Sequence, residues 1–227
     1  MKRFLLHISL LFCALNANSQ INELGVFVGG INYIGDVGPT DYIAPNELGI
    51  GILYKWNRSP RHSYRFSYYQ GSITSRDKDS DVPSRFLRAN SFKNHIKEFS
   101  AGMEFNFMDF DLHSNDKVIS PYVFTGINYF IYDEIYMNDH RTELDYRHST
   151  FAIPMILGVK ARIFGNFILG AEIGARYTFT DNLDGSNPRN DNFESLRFGN
   201  LDSKDWYVFS GLTLTYTFGQ NPCFCAH

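Results

Sequence analysis

From Phe167 to Thr180 the chain alternates without a break. Phe167, Leu169, Ala171, Ile173, Ala175, Tyr177 and Phe179 fall on one face, and Ile168, Gly170, Glu172, Gly174, Arg176, Thr178 and Thr180 on the other. A period of two over that length demands an extended strand, apolar on one side and polar on the other. Strands of aqueous domains usually end after about five or six residues, whereas a tilted strand that crosses a membrane needs about 9 to 11. The pattern returns from Trp206 to Phe218, from Ile96 to Phe107, and from Phe151 to Phe164, where an apolar face opposes Lys160 and Arg162.

Four weaker stretches join them: Glu23 to Tyr33, Leu48 to Trp56, Tyr64 to about Thr74, and Ser120 to Tyr132. The faces of the last are ambiguous, because Val123, Thr125, Ile127 and Tyr129 compete with Phe124, Gly126, Asn128 and Phe130. The total is eight, the even number that closed bacterial barrels use. Connections expected at 34–47, 75–95, 133–150 and 181–205 are long, while those at 57–63, 108–119 and Gly165-Asn166 are short. That rhythm fits a membrane barrel with short periplasmic turns, long outer loops and both ends in the periplasm. A soluble barrel would turn polar residues outward. Here the outer faces end instead in Trp56, Tyr177, Phe179, Trp206, Tyr216 and Phe218, where aromatic girdles belong. The expected fold is all-β, an eight-stranded antiparallel transmembrane β-barrel of the OmpA-like up-and-down kind with a short periplasmic C-terminal tail.

Composition supports this reading. Phe 21 and Tyr 14 bring the aromatics to 16%, beside Gly 18, a mixture that favours strands and turns over helices. Lys+Arg 21 against Asp+Glu 24 leaves no basic excess for nucleic acid. Residues 1–20 read as a signal peptide: Met1-Lys2-Arg3, an apolar run from Phe4 to Leu15, then small residues before cleavage after Ser19 or Gln20. The run is short of the roughly 20 residues a spanning helix requires, and bulky Phe12 before Cys13 departs from a lipoprotein signal. Domain bounds are therefore 1–20 signal peptide, 21–219 barrel and 220–227 tail, with the mature protein expected in the bacterial outer membrane, in contact with its lipids.

The inward set carries Glu23, Lys55, Arg65, Glu98, Glu104, Lys160, Arg162, Glu172 and Arg176. Eight strands enclose a lumen only wide enough for side chains, so these acids and bases are expected to pair with one another as a charge network. Such a lumen admits no substrate to Glu98 and Glu104, and the seven histidines show neither metal-ligand nor triad spacing. No enzyme activity, cofactor, metal or small-molecule substrate is expected. Asp77-Lys78-Asp79-Ser80-Asp81 opens like a calcium-binding loop, but Val82 replaces the required Gly and Arg88 the closing Glu. Thr180 to Gly185 reads as turn chemistry. Arg58, Arg61 and His62 make the first short turn basic, and Asp109, Asp111 and Asp116 make the second acidic, so the two offer a periplasmic partner charges of opposite sign. Cys223 and Cys225 in the tail join them as candidate partner contacts.

Glu23-Leu-Gly-Val-Phe-Val-Gly-Gly-Ile-Asn-Tyr-Ile-Gly-Asp36, Glu98-Phe-Ser-Ala-Gly-Met-Glu-Phe-Asn-Phe107, Pro121-Tyr-Val-Phe-Thr-Gly126, Ile153-Pro-Met-Ile-Leu-Gly-Val-Lys160, Phe179-Thr-Asp-Asn-Leu-Asp184 and Trp206-Tyr207 with the Cys-x-Cys tail resemble the PorG family of Bacteroidota outer-membrane proteins. The resemblance implies a non-enzymatic component of the type IX secretion system, associated with a periplasmic ring of PorK-like lipoprotein and PorN-like protein. It supplies no catalytic residue. The competing expectation is a stand-alone OmpA- or OmpX-like barrel with adhesive or ligand-binding loops.

Overall fold

The computed structural model describes residues 21–112, 118–200 and 202–219. The expected signal peptide and the Cys-containing tail lie outside these residues. Eight strands follow in chain order: β1 (Ile21–Ile34), β2 (Glu47–Asn57), β3 (His62–Arg76), β4 (Ser91–Asn106), β5 (Ile119–Asn138), β6 (Arg141–Phe164), β7 (Phe167–Thr178) and β8 (Trp206–Phe218). Each pairs antiparallel with its neighbour, and β8 returns to β1, closing the ring. No helix among the described residues is long and apolar enough to cross a membrane.

Closure assigns the ambiguous faces of β5. Register sets Glu98 opposite Phe130, Ser100 opposite Asn128 and Glu104 opposite Phe124, so Phe124, Asn128 and Phe130 turn inward with Tyr122 and Tyr132. Ile127 and Tyr129 face out. Gly51 and Gly158 occupy inward positions where an added Cβ would overlap the rings of Tyr69 and Tyr122. Both glycines thus make room for aromatic side chains that cross the lumen.

Two connections differ from expectation. Residues 133–150 are not a long loop, because β5 and β6 continue past the membrane-height residues as a hairpin closed at Asp139-His140. Both turn residues have positive φ, 46° and 66°, the backbone shape of a two-residue hairpin turn. The extension carries Asp133, Glu134, Arg147 and His148, whose polar sequence hides the strand period. Likewise β3 runs to Arg76 and β4 begins at Ser91, with a short helix α1 (Pro83–Arg88) between them. β7 stops at Thr178, two residues earlier than the alternation implies.

The exterior is apolar on every strand. Leu24, Ile52, Phe66, Phe99, Ile127, Leu157, Leu169 and Leu212 are all exposed. Aromatic pairs mark both rims: Trp56 with Tyr64 and Phe167 with Tyr216 at the short-turn end, Tyr177 with Trp206 at the long-loop end. The interior has two storeys. The Lys55, Arg65, Lys160, Glu104 and Glu172 ion pairs fill the half nearer the short turns, and an apolar cluster including Phe27, Ile31, Tyr69, Phe130, Leu183 and Phe209, with buried Asp184, Asp205 and Glu134 beside it, fills the other.

Candidate functional site

Strand alternation sends residues an even number apart to the same face, so Glu98 and Glu104, or Glu172 and Arg176, enter the lumen together. Register brings Lys55 beside Arg65 on adjacent strands, an unfavourable neighbour by charge. Carboxylates from neighbouring β4 and, across the lumen, from β7 offset it. Glu104 Oε1 accepts from Lys55 Nζ at 2.8 Å and Lys160 Nζ at 2.7 Å. Arg65 forms a two-pronged contact with Glu172, both bonds 2.8 Å, and lies 3.6 Å from Glu104. Glu172 also accepts from Tyr122 at 2.7 Å and Tyr69 at 3.0 Å. Nearer the loops, Glu98 binds Arg176 at 2.9 Å, Tyr207 at 2.7 Å and Asn128 at 3.1 Å. Glu23 is held by Asn57 at 3.0 Å and Thr215 at 2.9 Å. The side chains of the ion pairs are at most 4% exposed. Charges so deeply buried are tolerable only with this degree of pairing.

Arg162 points inward and stands half-buried at the short-turn mouth, donating to the Asp111 carbonyl at 3.3 Å. The residues the sequence reading missed are the tyrosines and amides, Tyr69, Tyr122, Tyr207 and Asn128. Their inward parity was the available signal, but for β5 it could be read only after register had fixed the faces.

The two short turns expected to face a partner with opposite charges meet each other. Arg61 Nε pairs with Asp109 Oδ1 at 2.5 Å, Asn106 donates to the Pro60 carbonyl at 2.9 Å, and Phe110 N to the same oxygen at 3.1 Å. Phe110 is buried there, with Lys160 Nζ 4.9 Å from its ring centre. Arg58 lies over the Trp56 ring at 5.2 Å. Of the proposed partner contacts, Cys223 and Cys225 fall outside the described residues.

At the opposite mouth, the connection between β7 and β8 folds into the barrel. Residues 180–186 are buried, with Leu183 seated in the apolar cluster. Asn182 donates to Glu134 Oε1 at 2.8 Å and the Ile135 carbonyl at 2.9 Å, while Asn94 holds the Leu183 carbonyl at 2.8 Å. Tyr33 anchors the segment: its hydroxyl lies 2.7 Å from Asp184 Oδ2 and 2.5 Å from Asp205 Oδ1. One hydroxyl hydrogen cannot serve two carboxylates, so the trio needs a second proton on one acid. Burial pushes both carboxyls above their usual range, Asp205 most strongly, with repulsion from Asp184 adding to it. Burial also pushes neighbouring Asp181 up to about 6, against the pull of Lys204.

The calcium-like stretch has a different use. Asp77 is buried, and its carboxylate accepts from Gly38 N at 2.9 Å, Asn90 N at 3.0 Å and Arg88 Nε at 2.7 Å. Arg88, standing where a closing Glu would complete a calcium loop, neutralises the first position instead. Among the described residues no group of three His, Cys, Asp or Glu could hold a metal. Ser72 Oγ lies 2.9 Å from His95 Nδ1, yet among the described residues no carboxylate hydrogen-bonds that histidine.

A closed ring of eight long antiparallel strands, apolar outside, polar inside and rimmed by aromatics, is a transmembrane β-barrel of the outer-membrane kind. Its lumen is packed with side chains and covered at both mouths. The chain belongs to the family described as Domain of unknown function (DUF6089), which matches residues 2–227. No curated protein matches it. Among solved structures it is similar to Ail, the attachment invasion locus protein of Yersinia pestis, at 11% identity and TM-score 0.48, covering 88% of this chain and 99% of that one. It is similar also to Neisserial surface protein A, at 7% identity and TM-score 0.48 over 88% and 98% of the two chains. OprG of Pseudomonas aeruginosa has 9% identity and TM-score 0.44 over 88% and 95%.

Proposed function

We propose that this barrel is a non-enzymatic outer-membrane component of the type IX secretion machinery that anchors or organises a periplasmic ring of PorK-like lipoprotein and PorN-like protein. The observation that carries the reading is the closure of both mouths, by the Arg61–Asp109 clasp with Phe110 and by residues 180–186. A packed cylinder moves no cargo; it can fix a position in the membrane and present surfaces on either side. The sequence resemblance supplies the identity of the partner. An even strand number puts the start of β1 and the end of β8 at the short-turn end, the periplasmic side in barrels of this kind. In that orientation β8 ends at the same rim as the 58–61 and 107–111 surface, where Arg58 and Asp111 lie. Pull-down of the tagged barrel from detergent should recover the ring lipoprotein. Failure to recover it would overturn the proposal, and unchanged recovery after deletion of 220–227 would remove the tail from it.

A second reading, a stand-alone barrel with adhesive loops, is favoured by one observation: Tyr42, Phe86 and Leu87 are 78%, 55% and 82% exposed at the loop end. Shortening 82–88 would then abolish surface attachment while secretion persisted.

A further inference from the structure

The outward face of β4 changes character abruptly. Met103, Ala101 and Phe99 are exposed apolar residues, and the next outward positions are Lys97, His95 and Lys93. Directly at the change, a register row of rings, Tyr68, Phe99, Tyr129 and Phe151, crosses β3 to β6, with contacts of 4.8 Å between the first two and 5.5 Å between the last two. Aromatics in that arrangement mark the boundary between acyl chains and headgroups. Lys97 stands one strand period beyond it, a rise of roughly 7 Å.

There the wall forms a groove of about 460 Å³. Leu48, Ile50 and Ile131 give it an apolar side, while Gln70, Ser72, His95, Lys97 and Arg147 give it a polar one. Nearby cations differ in their commitments. Lys93 is bound to Glu47 at 2.8 Å, and Arg147, 74% exposed, lies 3.4 Å from Asp133. Lys97 is exposed and has no ion-pair partner among the described residues. A lysine left unpaired at headgroup height beside an apolar groove matches an amphiphile with an anionic head.

We infer that this groove binds one lipid of the outer leaflet through its phosphate, with Lys97 as the principal contact, Arg147, His95 and Ser72 around it, and an acyl chain along Ile50 and Ile131. Because the long loops face outward in the orientation taken above, the lipid is the phosphorylated glycolipid of that leaflet, lipid A. The inference rests on that orientation but not on the ring partner.

The test is native mass spectrometry of the full mature barrel extracted in mild detergent, wild type against Lys97→Ala and Lys97→Glu, with lipid A added back at graded concentration. One interfacial cation weights affinity by about fivefold, so Lys97→Ala should lower occupancy about that much and Lys97→Glu further. Heat-modified gel mobility shows that the variants fold. No lipid A adduct on wild type, or equal adducts on folded Lys97→Glu, overturns the inference. A Lys97-dependent adduct of phospholipid in place of lipid A overturns the choice of lipid. Arg58→Glu, at the far rim, should leave lipid A binding unchanged; loss there with retention in Lys97→Glu would refute the site. Recovery of the ring lipoprotein, scored on the same samples, reports separately on the proposed function.

Discussion

Replacing Asp205 by Asn should make the barrel more stable at alkaline pH, because it removes a charge from the trio that seats the plug. Asp184 and Asp205 both contact one Tyr33 oxygen, at 2.7 Å and 2.5 Å. Their carboxylates therefore lie within roughly 5 Å, and two full charges at that separation repel by about 3 kcal/mol at an effective dielectric of 20. The sign of the pH effect follows from the direction of the shifts. Both carboxyls are raised, so the folded state keeps a proton that the unfolded chain releases above about pH 4, and stability falls as pH rises through the folded values. An Asn amide completes the donor count: its oxygen accepts from Leu183 N, bound now at 2.8 Å, and its NH₂ donates to Tyr33, which donates to Asp184. Urea unfolding in micelles, followed by Trp56 and Trp206 fluorescence from about pH 5 to about pH 9, should show wild type losing up to about 3 kcal/mol relative to Asp205→Asn. Parallel curves, or a variant weaker by the same amount at every pH, would refute the shared proton.

Three further outcomes follow from the lumen and the turns. Glu172→Gln leaves Arg65 without its two-pronged partner and should cost about 3–5 kcal/mol by the same unfolding measurement, whereas Arg65→Met with Glu172→Met should recover most of it. Gly158→Val drives a side chain into the Tyr122 ring and should block refolding into micelles, seen as loss of the heat-modified gel species. Arg61→Ala breaks a pair that is 51% and 67% exposed and should change stability by less than about 1 kcal/mol, so any larger loss in ring-lipoprotein pull-down reports on contact rather than folding.

The strands at membrane height were legible because a bilayer enforces contrast. Leu169 and Leu212 must face lipid, while Glu172 and Thr213 must not, and the alternation carries that requirement in the sequence. Where the demand lapses, so does the signal. The β5–β6 hairpin above the rim mixes charged Asp133, Glu143 and Arg147 with apolar Ile135, Met137 and Leu144, and β5 itself has apolar side chains on both faces, since Phe124 and Phe130 fill the lumen while Ile127 meets lipid. The charged residues of the interior could be enumerated by parity. Which acid meets which base could not, because Arg65 and Glu172 are 107 residues apart and join across the lumen rather than along a ladder. The plug was hidden for a similar reason: Asp184 reads as a turn residue and Asp205 as the end of a long connection until Tyr33, on the first strand, is seen between them.

The same chords set the order of events during insertion. Arg65 reaches Glu172, Tyr207 reaches Glu98, and Thr215 reaches Glu23 across sequence separations of 107, 109 and 192 residues. None of these bonds can form while the sheet is open, and loop closure of that length is slow. Until β1 meets β8, the inward side of every strand must therefore keep its charges in water, because lipid would leave them neither hydrated nor paired. An unclosed sheet of this chain is compatible with the membrane on one face only. Insertion and closure become a single step, and the β1–β8 seam is where that step completes.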